Sequence, residues 1–421
     1  MMTRLRTFAQ LSMTVLLVGC SSLAPLLATP TPAATQPATS TPQATPTSTA
    51  PAAVEGPRIL RVWLPPRFDP GAGTPSANLL KARLQGFEDE HPGIRLEVRI
   101  KSETVILDAI SVTSEAAPMS MPDLIALTHW DMQAAASAGF LHPIDGLTNI
   151  LDEPDWYAFA RELGQVRNTD YGIPFAGDIL LSMYRPSVFE TPPSTWNALF
   201  ESGTYMVFPV SDPDALFPLS LYLSDGARIV NDQSAVVMDE ATLVRVLTLY
   251  KQAIESGTLL PQIKDYQTDT QSIQYFIGGH ADFAVIRASS DIQTRSGSYG
   301  PLHGLNNDPY AVGDGWVWAL AGSDLENQPL AVELASHLAE STFMSEWTLA
   351  SGYLPTRPQA LEGWQDEDLK ASIGEALQYA HPLPSDEVLS VVSPLLQQAL
   401  MRIFNGEEPE AVARSVIEEL E

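Results

Sequence analysis

The residue types that carry out catalysis are present in this sequence, but they are not arranged in catalytic motifs. Seven histidines occur with no pair at positions i and i+4 and no HExxH segment, so the pattern of a zinc hydrolase is missing. The GxSxG segment of serine hydrolases and the phosphate-binding GxxxxGK loop do not occur either. Carboxylate pairs like those of glycosidases carry little information among 51 acidic residues. We therefore expect no catalytic residue, no metal site and no cofactor.

Tryptophans and polar residues near expected strand ends favour binding over catalysis. Aromatic faces stack on the C–H faces of sugar rings, while acids, amides and arginines hydrogen-bond the hydroxyls. Trp63 lies at the end of one expected strand and Arg67 follows it. Trp130 and Asp131 follow another expected strand, and Trp316 lies on a further one. Core packing is the alternative for each tryptophan, and a solvated surface position is the alternative for Asp131.

The composition excludes several classes of protein. Lys and Arg number 23 and Asp and Glu number 51, a formal net charge of −28 that would repel a phosphate backbone, so we expect no nucleic-acid partner. With 45% hydrophobic and 18% charged residues, the chain is not disordered throughout. One cysteine excludes a disulfide scaffold and a multi-cysteine metal site.

The elements that must position the candidate residues alternate between strands and helices. Hydrophobic periodicity predicts strands at 59–64, 94–100 and 122–127, and helices at 78–91 and 132–138. This order indicates an α/β fold with a mostly parallel sheet covered by helices on both faces. Ligands of such sheets bind beyond the carboxyl ends of the strands, where 63–69 and 128–131 lie. Two final helices, split by Asn405-Gly406, are expected in 391–421.

Several segments in a fixed order resemble a known family. Residues 87–100 (FEDEHPGIRLEVRI) are similar to the opening of the family 1 extracellular solute-binding proteins, the maltose-binding-like receptors of ABC importers. The further matches are 122–123 (PD) with 138–145 (AGFLHPID), 171–174 (YGIP) with 181–185 (LSMYR), 191–196 (TPPSTW), 276–283 (FIGGHADF) and 352–357 (GYLPTR). The resemblance covers 58–421. Two residues depart from it, because Arg185 replaces the usual Asn and Asp282 stands where the family prefers Ala.

The resemblance implies an α/β, two-lobe periplasmic-binding-protein-like (type II) fold with a hinge and an interlobe cleft. Its hinge crossovers would lie near 175–179, 298–304 and 350–355. One lobe would combine 58–176 with 304–350, and the other would combine 180–299 with 355–421. Closure about a few connecting residues is a known mode of ligand capture.

The resemblance also implies further ligand contacts. Asp178 lies at the first crossover, with a surface acid as the alternative, and Arg287 and Ser289 end an expected strand where the family commonly contacts ligand. Tyr353 and Arg357 follow the third crossover and could cap the cleft. The segment 288–290 lacks the aromatic residue often found there, which argues against a long stacked oligosaccharide.

Asp314 completes the candidate site. Its Gly-Asp-Gly segment lacks the spacing of an EF-hand calcium loop, so we expect a turn there and no metal. The candidate ligand contacts are Trp63, Arg67, Trp130, Asp131, Asp178, Arg287, Ser289, Asp314, Trp316 and Tyr353.

The N-terminus has the pattern of a secreted, lipid-anchored protein. Residues 1–19 combine a basic start with an apolar run too short to span a bilayer, which is typical of a signal peptide. Residues 17–20 (LVGC) resemble a bacterial lipobox, so Cys20 would be lipidated and would anchor the protein to the membrane. An ordinary signal peptide is the alternative. The Pro/Thr/Ala-rich segment 20–57 is expected to form an extended linker.

These observations predict an extracytoplasmic, monomeric binding lipoprotein of the bacterial cell membrane. It would capture a small carbohydrate-like solute between two lobes and deliver it to the permease subunits of an ABC importer. A ligand-sensing lipoprotein with a membrane signalling partner needs the same cleft, and a surface glycosidase is disfavoured by the missing motifs. Mono- and disaccharides are the favoured candidate ligands. Polyols, glycerophosphodiesters and polyamines stay open, the last because acids abound near the expected cleft.

Overall fold

Buried apolar segments form the central strands of a nine-stranded mixed sheet. The computed structural model describes residues 56–322 and 324–420, so the expected signal peptide, Cys20 and nearly all of the 20–57 linker lie outside the described residues. In chain order the strands are β1 (Arg58–Leu64), β2 (Ile94–Ile100), β3 (Leu124–Thr128), β4 (Gln165–Val166), β5 (Thr169–Asp170), β6 (Gly172–Tyr184), β7 (Met206–Val207), β8 (Phe283–Arg287), β9 (Ser298–Gly300), β10 (Ala311–Leu320) and β11 (Ala380–Pro382). Strands β4 and β5 pair separately as a hairpin.

The sheet is mixed, so the expectation of a mostly parallel sheet is wrong. Its order is β2-β1-β3-β10-β6-β8-β7, with β11 beside β10 and β9 beside β6. Strand β1 is parallel to β2 and β3, as the alternation of elements predicts. Strand β10 is antiparallel to β3 and β6, and β6 is antiparallel to β8. Because β10 arrives from far along the chain, local periodicity contains no information about its partners.

Strands β6 and β10 run side by side through the middle of the sheet. The first part of β6, 172–179, pairs with β10, and the remainder, 180–184, pairs with β8. A register shift between Trp316 and Val317 interrupts the β6–β10 ladder, and such bulges re-aim nearby side chains. Asp314 lies within β10 and not in the expected turn, and it is directly opposite Asp178 of β6.

Helices cover both faces of the sheet. In chain order they are α1 (Pro75–Glu90), α2 (Ile106–Ala116), α3 (His129–Ser137), α4 (Ala158–Leu163), α5 (Trp196–Glu201), α6 (Leu216–Ser224), α7 (Glu240–Glu255), α8 (Asp269–Ile277), α9 (Gln328–Leu338), α10 (Ser341–Ser351), α11 (Pro358–Glu362), α12 (Glu367–Gln378), α13 (Asp386–Phe404) and α14 (Pro409–Leu420). Helices α13 and α14 confirm the expected pair on either side of Asn405-Gly406. No helix of the described residues is long and apolar enough to cross a membrane.

Helix α3 begins earlier than the periodicity predicts. The Thr128 hydroxyl caps it by accepting a hydrogen bond from the Asp131 N–H at 3.1 Å, and threonine is a favoured N-cap residue. Trp130 and Asp131 therefore lie in the first turn of the helix, at the end of β3, and not in a loop.

Candidate functional site

Two adjoining cavities lie where β6 and β10 meet the loops around them. The first, of about 170 Å³, is lined by the middle of both strands together with Arg67, Trp130 and Tyr353. The second, of about 270 Å³, extends under the start of α6 and the start of α8. Leu180, Asp214, Leu216 and Arg287 line both cavities, so we treat them as one cleft.

The floor of the cleft holds two carboxylates on neighbouring strands. Asp178 accepts hydrogen bonds from the backbone N–H of Ser289 at 2.9 Å and from its hydroxyl. Burial raises the pKa of Asp178, and the two bonds from Ser289 oppose that shift. Burial also raises the pKa of Asp314, to about 7. The Oδ1 atom of Asp314 is buried and has no hydrogen-bond partner among the described residues.

Arg287 is surrounded by carboxylates. Its Nη2 donates to Asp214 at 2.8 Å, and Asp178, Asp212 and Asp269 lie near enough to act on its charge. Burial opposes that charge, but the four carboxylates outweigh it and raise the pKa of Arg287. The guanidinium therefore stays charged and partly neutralises this wall of the cleft.

Arg67 is the second arginine that lines the cleft. Its Nε and Nη2 donate to the two carboxylate oxygens of Glu103 at 2.7 and 2.8 Å, and its Nη1 donates to the Tyr353 hydroxyl. Its guanidinium also lies over the Trp316 ring, 5.2 Å from the centroid. Arg67 thus links the ion pair, the tyrosine and the tryptophan.

The aromatic side chains of the cleft are held in place and mostly buried. Trp316 is only 6% exposed and packs edge-on against Phe68 at 5.0 Å. Trp130 is half-buried and donates its indole N–H to the Pro384 carbonyl at 3.0 Å.

The structure brings most of the candidate contacts together. Those that line the cleft are Arg67, Trp130, Asp178, Arg287, Asp314, Trp316 and Tyr353. Ser289 does not line it but positions Asp178. Asp131 accepts a hydrogen bond from the Thr128 hydroxyl at 2.9 Å within the cap of α3. Trp63 is 1% exposed and packs in the core beneath Lys101, so its placement follows the core alternative.

Arg357 does not cap the cleft. Its side chain is buried, where it pairs with Glu153 and with Asp155, the latter at 3.0 Å, and lies over the Trp156 ring at 4.8 Å. This ion-pair cluster fixes the segment before α11 against the loop before α4.

Four acidic residues of the cleft are absent from the sequence prediction. They are Glu103, Asp212, Asp214 and Asp269. The sequence does contain a signal for the position of Asp269. Thr268 and Gln271 form a capping box at the start of α8, and Asp269 is the first residue of that helix. Asp212 and Asp214 follow β7, which at two residues is too short for periodicity to identify. No group of these side chains among the described residues has the arrangement of a metal site.

Comparisons with known proteins agree with this architecture. A family model described as bacterial extracellular solute-binding protein matches residues 82–372. No curated protein matches. Among solved structures, the sugar-binding protein MalE from Xanthomonas citri is 17% identical with a TM-score of 0.72, over 86% of this chain and 96% of that one.

Two further solved structures have similar values. The cyclic α-maltosyl-1,6-maltose binding protein from Arthrobacter globiformis is 16% identical with a TM-score of 0.69, over 87% of this chain and 99% of that one. The GacH receptor of Streptomyces glaucescens, solved unliganded and with acarbose, is 16% identical with a TM-score of 0.65, over 87% of this chain and 98% of that one. At these identities the likeness shows the fold, which is the two-lobe α/β fold of maltose-binding-protein-like receptors.

Proposed function

The chain belongs to the bacterial extracellular solute-binding protein family, and from that premise we propose that it captures a small carbohydrate-like solute between two lobes and delivers it to the permease of an ABC importer. The observation that carries the proposal is the polar cleft at the centre of the sheet, where Asp178, Arg287 and Tyr353 converge from different parts of the chain. Clefts with a few convergent polar groups are typical of small-molecule sites.

The solute contacts we propose are the candidate residues that line this cleft. Asp178, Arg287 and Asp314 would bond polar groups of the solute, and Trp130 and Trp316 would contact its apolar faces. Ser289 and Asp131 would act indirectly, the first through Asp178 and the second through the start of α3.

The hinge we propose has the three crossovers that the resemblance implies. Support comes from Gly177 and Leu354, whose backbone groups exchange two hydrogen bonds of 2.8 Å and so join the segments 175–179 and 350–355. With crossovers at 175–179, 298–304 and 350–355, the lobes would be 58–176 with 304–350 and 180–299 with 355–421. Closure of these lobes would enclose the solute.

We infer that the protein works on the outer side of the cell membrane as a monomer. The family is extracellular by description, which supports an extracytoplasmic location. A lipid on Cys20 and the 20–57 linker would keep the folded part near the permease subunits.

Thermal unfolding of the full chain with a panel of sugars, polyols, glycerophosphodiesters and polyamines tests the function. A solute that binds only the folded state adds ~2.7 kcal/mol to the free energy of unfolding at a hundred times its dissociation constant. Tyr353→Ala should lose this stabilisation. Tyr205→Ala, which changes an exposed tyrosine outside the cleft, should keep it. A folded protein that no solute stabilises would contradict solute capture.

A further inference from the structure

The walls of the cleft carry more negative than positive charge. Six carboxylates line the two cavities, from Glu103, Asp178, Asp212, Asp214, Asp269 and Asp314, against the two guanidinium groups of Arg67 and Arg287. Each arginine is already paired, Arg67 with both oxygens of Glu103 and Arg287 with Asp214. Among the described residues, four of these carboxylates are then left without an ion-pair partner of their own.

Three of these four carboxylates are satisfied by neutral donors. Asp178 accepts from Ser289, Asp269 accepts from the Ser290 hydroxyl at 2.8 Å, and Asp212 accepts from two backbone N–H groups of its own turn. Asp314 differs, because its Oδ1 atom is buried and has no hydrogen-bond partner in the described part of the chain, while the residue lines the cavity. A buried polar atom without a partner is costly unless a ligand satisfies it.

Asp314 also has an unfavourable neighbour. It pairs directly with Asp178 across the β6–β10 ladder, so the two carboxylates project from the same face of the sheet. Like charges directly opposite each other on two strands are destabilising, and burial strengthens the repulsion. Buried like-charge pairs of this kind are concentrated at functional sites.

We propose, as a refinement that rests on the proposed function, that the captured solute carries a protonated amino group that binds between the carboxylates of Asp178 and Asp314. An ammonium group offers three N–H donors and one positive charge, so it satisfies Oδ1 of Asp314 and cancels the repulsion between the two acids. A neutral hydroxyl supplies one donor and no charge. The same chemistry occurs in amino sugars, amino polyols and polyamines.

The proposal predicts a defined pH dependence. Asp314 faces Asp178 from β6, Arg287 from β8, Asp131 from α3 and the N–H of Gly315 in its own strand. Burial raises the pKa of Asp314 to about 7, so the carboxylate that binds the amine forms as the pH passes through 7. Affinity for an amine that stays protonated should fall about tenfold between pH 8 and pH 6, as the ionised fraction does.

The test compares matched pairs of solutes on the full chain by thermal unfolding at pH 7. The pairs are glucosamine with N-acetylglucosamine, and 1-amino-1-deoxysorbitol with sorbitol, and spermidine represents an amine without hydroxyl groups. Stabilisation by an amine and not by its neutral counterpart is the expected result. Equal stabilisation by both members of a pair, or stabilisation by neutral sugars alone, would overturn the proposal that the solute carries an amino group. Solute capture would still stand. If neither these probes nor any solute of the wider panel stabilises the protein, both the amine proposal and solute capture are overturned.

Two variants locate the amine. Asp314→Asn should weaken binding of the stabilising amine at least tenfold. It should also remove the difference in affinity between pH 6 and pH 8. Asp232→Asn makes the same change of charge at a residue that lines neither cavity, and its side chain is 89% exposed in an ion pair with Arg228. It should leave the affinity and its pH dependence unchanged. Equal affinity of Asp314→Asn and the wild type would show that the amine does not bind at Asp314. If the variant does not fold, the solute pairs measured on the wild type still test whether the solute carries an amine.

Discussion

Asp314 should destabilise the unliganded protein at neutral and alkaline pH. Its pKa is raised by burial to about 7, so the folded state holds this proton more tightly than the unfolded chain does. The cost of the charge is absent near pH 4, grows as the pH rises toward 7 and is complete above it. Asp314→Asn removes the cost and should raise the free energy of unfolding by on the order of 4 kcal/mol at pH 8 and by only about 1 kcal/mol at pH 4.5, because each pH unit between the two pKa values contributes ~1.4 kcal/mol.

Urea denaturation of the wild type, Asp314→Asn and Asp232→Asn at the two pH values measures this effect. The surface variant should stay within about 0.5 kcal/mol of the wild type at both. A stabilisation of Asp314→Asn that is the same at pH 4.5 and pH 8 would show that the acid does not titrate between them.

Single residues also explain the two departures from the family resemblance. Arg185 and Asp282 form an ion pair of 3.0 Å, and Arg185 donates to the Phe276 carbonyl at 2.6 Å. Each residue looks like an isolated change in the sequence, but in the fold they compensate for each other at the end of β6. Nothing in the spacing of positions 185 and 282 indicates that contact, since it depends on the pairing of β6 with β8.

At the scale of elements, the close approach of β6 and β10 requires small residues. A Cβ added to Gly315 would lie 2.5 Å from the Ala176 carbonyl oxygen and 2.6 Å from a Leu163 methyl. Gly315→Ala must therefore separate the two strands and should lower the free energy of unfolding by about 2 kcal/mol. The midpoint of urea denaturation measures the change.

The matched control lies in α1. A Cβ at Gly86 meets nothing within 4 Å, so Gly86→Ala should be neutral or stabilise the helix by about 0.5–1 kcal/mol. Equal stability of Gly315→Ala and Gly86→Ala would contradict the close approach of β6 and β10 at Gly315.

The elements that sequence patterns predict best are those with local signals. Strands β1 and β2 and helices α1, α13 and α14 follow from apolar periodicity and from turns such as Asn405-Gly406. The antiparallel position of β10 between β3 and β6 cannot be predicted from such patterns, because strand partners depend on contacts between residues distant in sequence. The same limit applies to the site. Trp130 and Asp178 can be recognised as cleft candidates because they lie near the ends of segments, whereas the burial of Trp63 and Arg357 becomes evident only in the folded structure.

At the scale of the whole molecule, the fold assembles one acidic cleft from distant segments. Strands β6, β8 and β10 supply Asp178, Arg287 and Asp314, and the loops after β1 and before α11 supply Arg67 and Tyr353. The cleft thus depends on the complete sheet and not on any single motif. This dependence explains why no short segment of the sequence identifies the ligand.

The most direct test of solute capture is the equilibrium affinity of the most stabilising solute, measured by titration calorimetry. We expect Asp178→Asn to weaken binding at least tenfold, because Asp178 lies at the floor of the cleft, and Asp232→Asn to bind like the wild type. One solute per chain should bind. Unchanged affinity in a folded Asp178→Asn variant would show that the solute does not bind in this cleft.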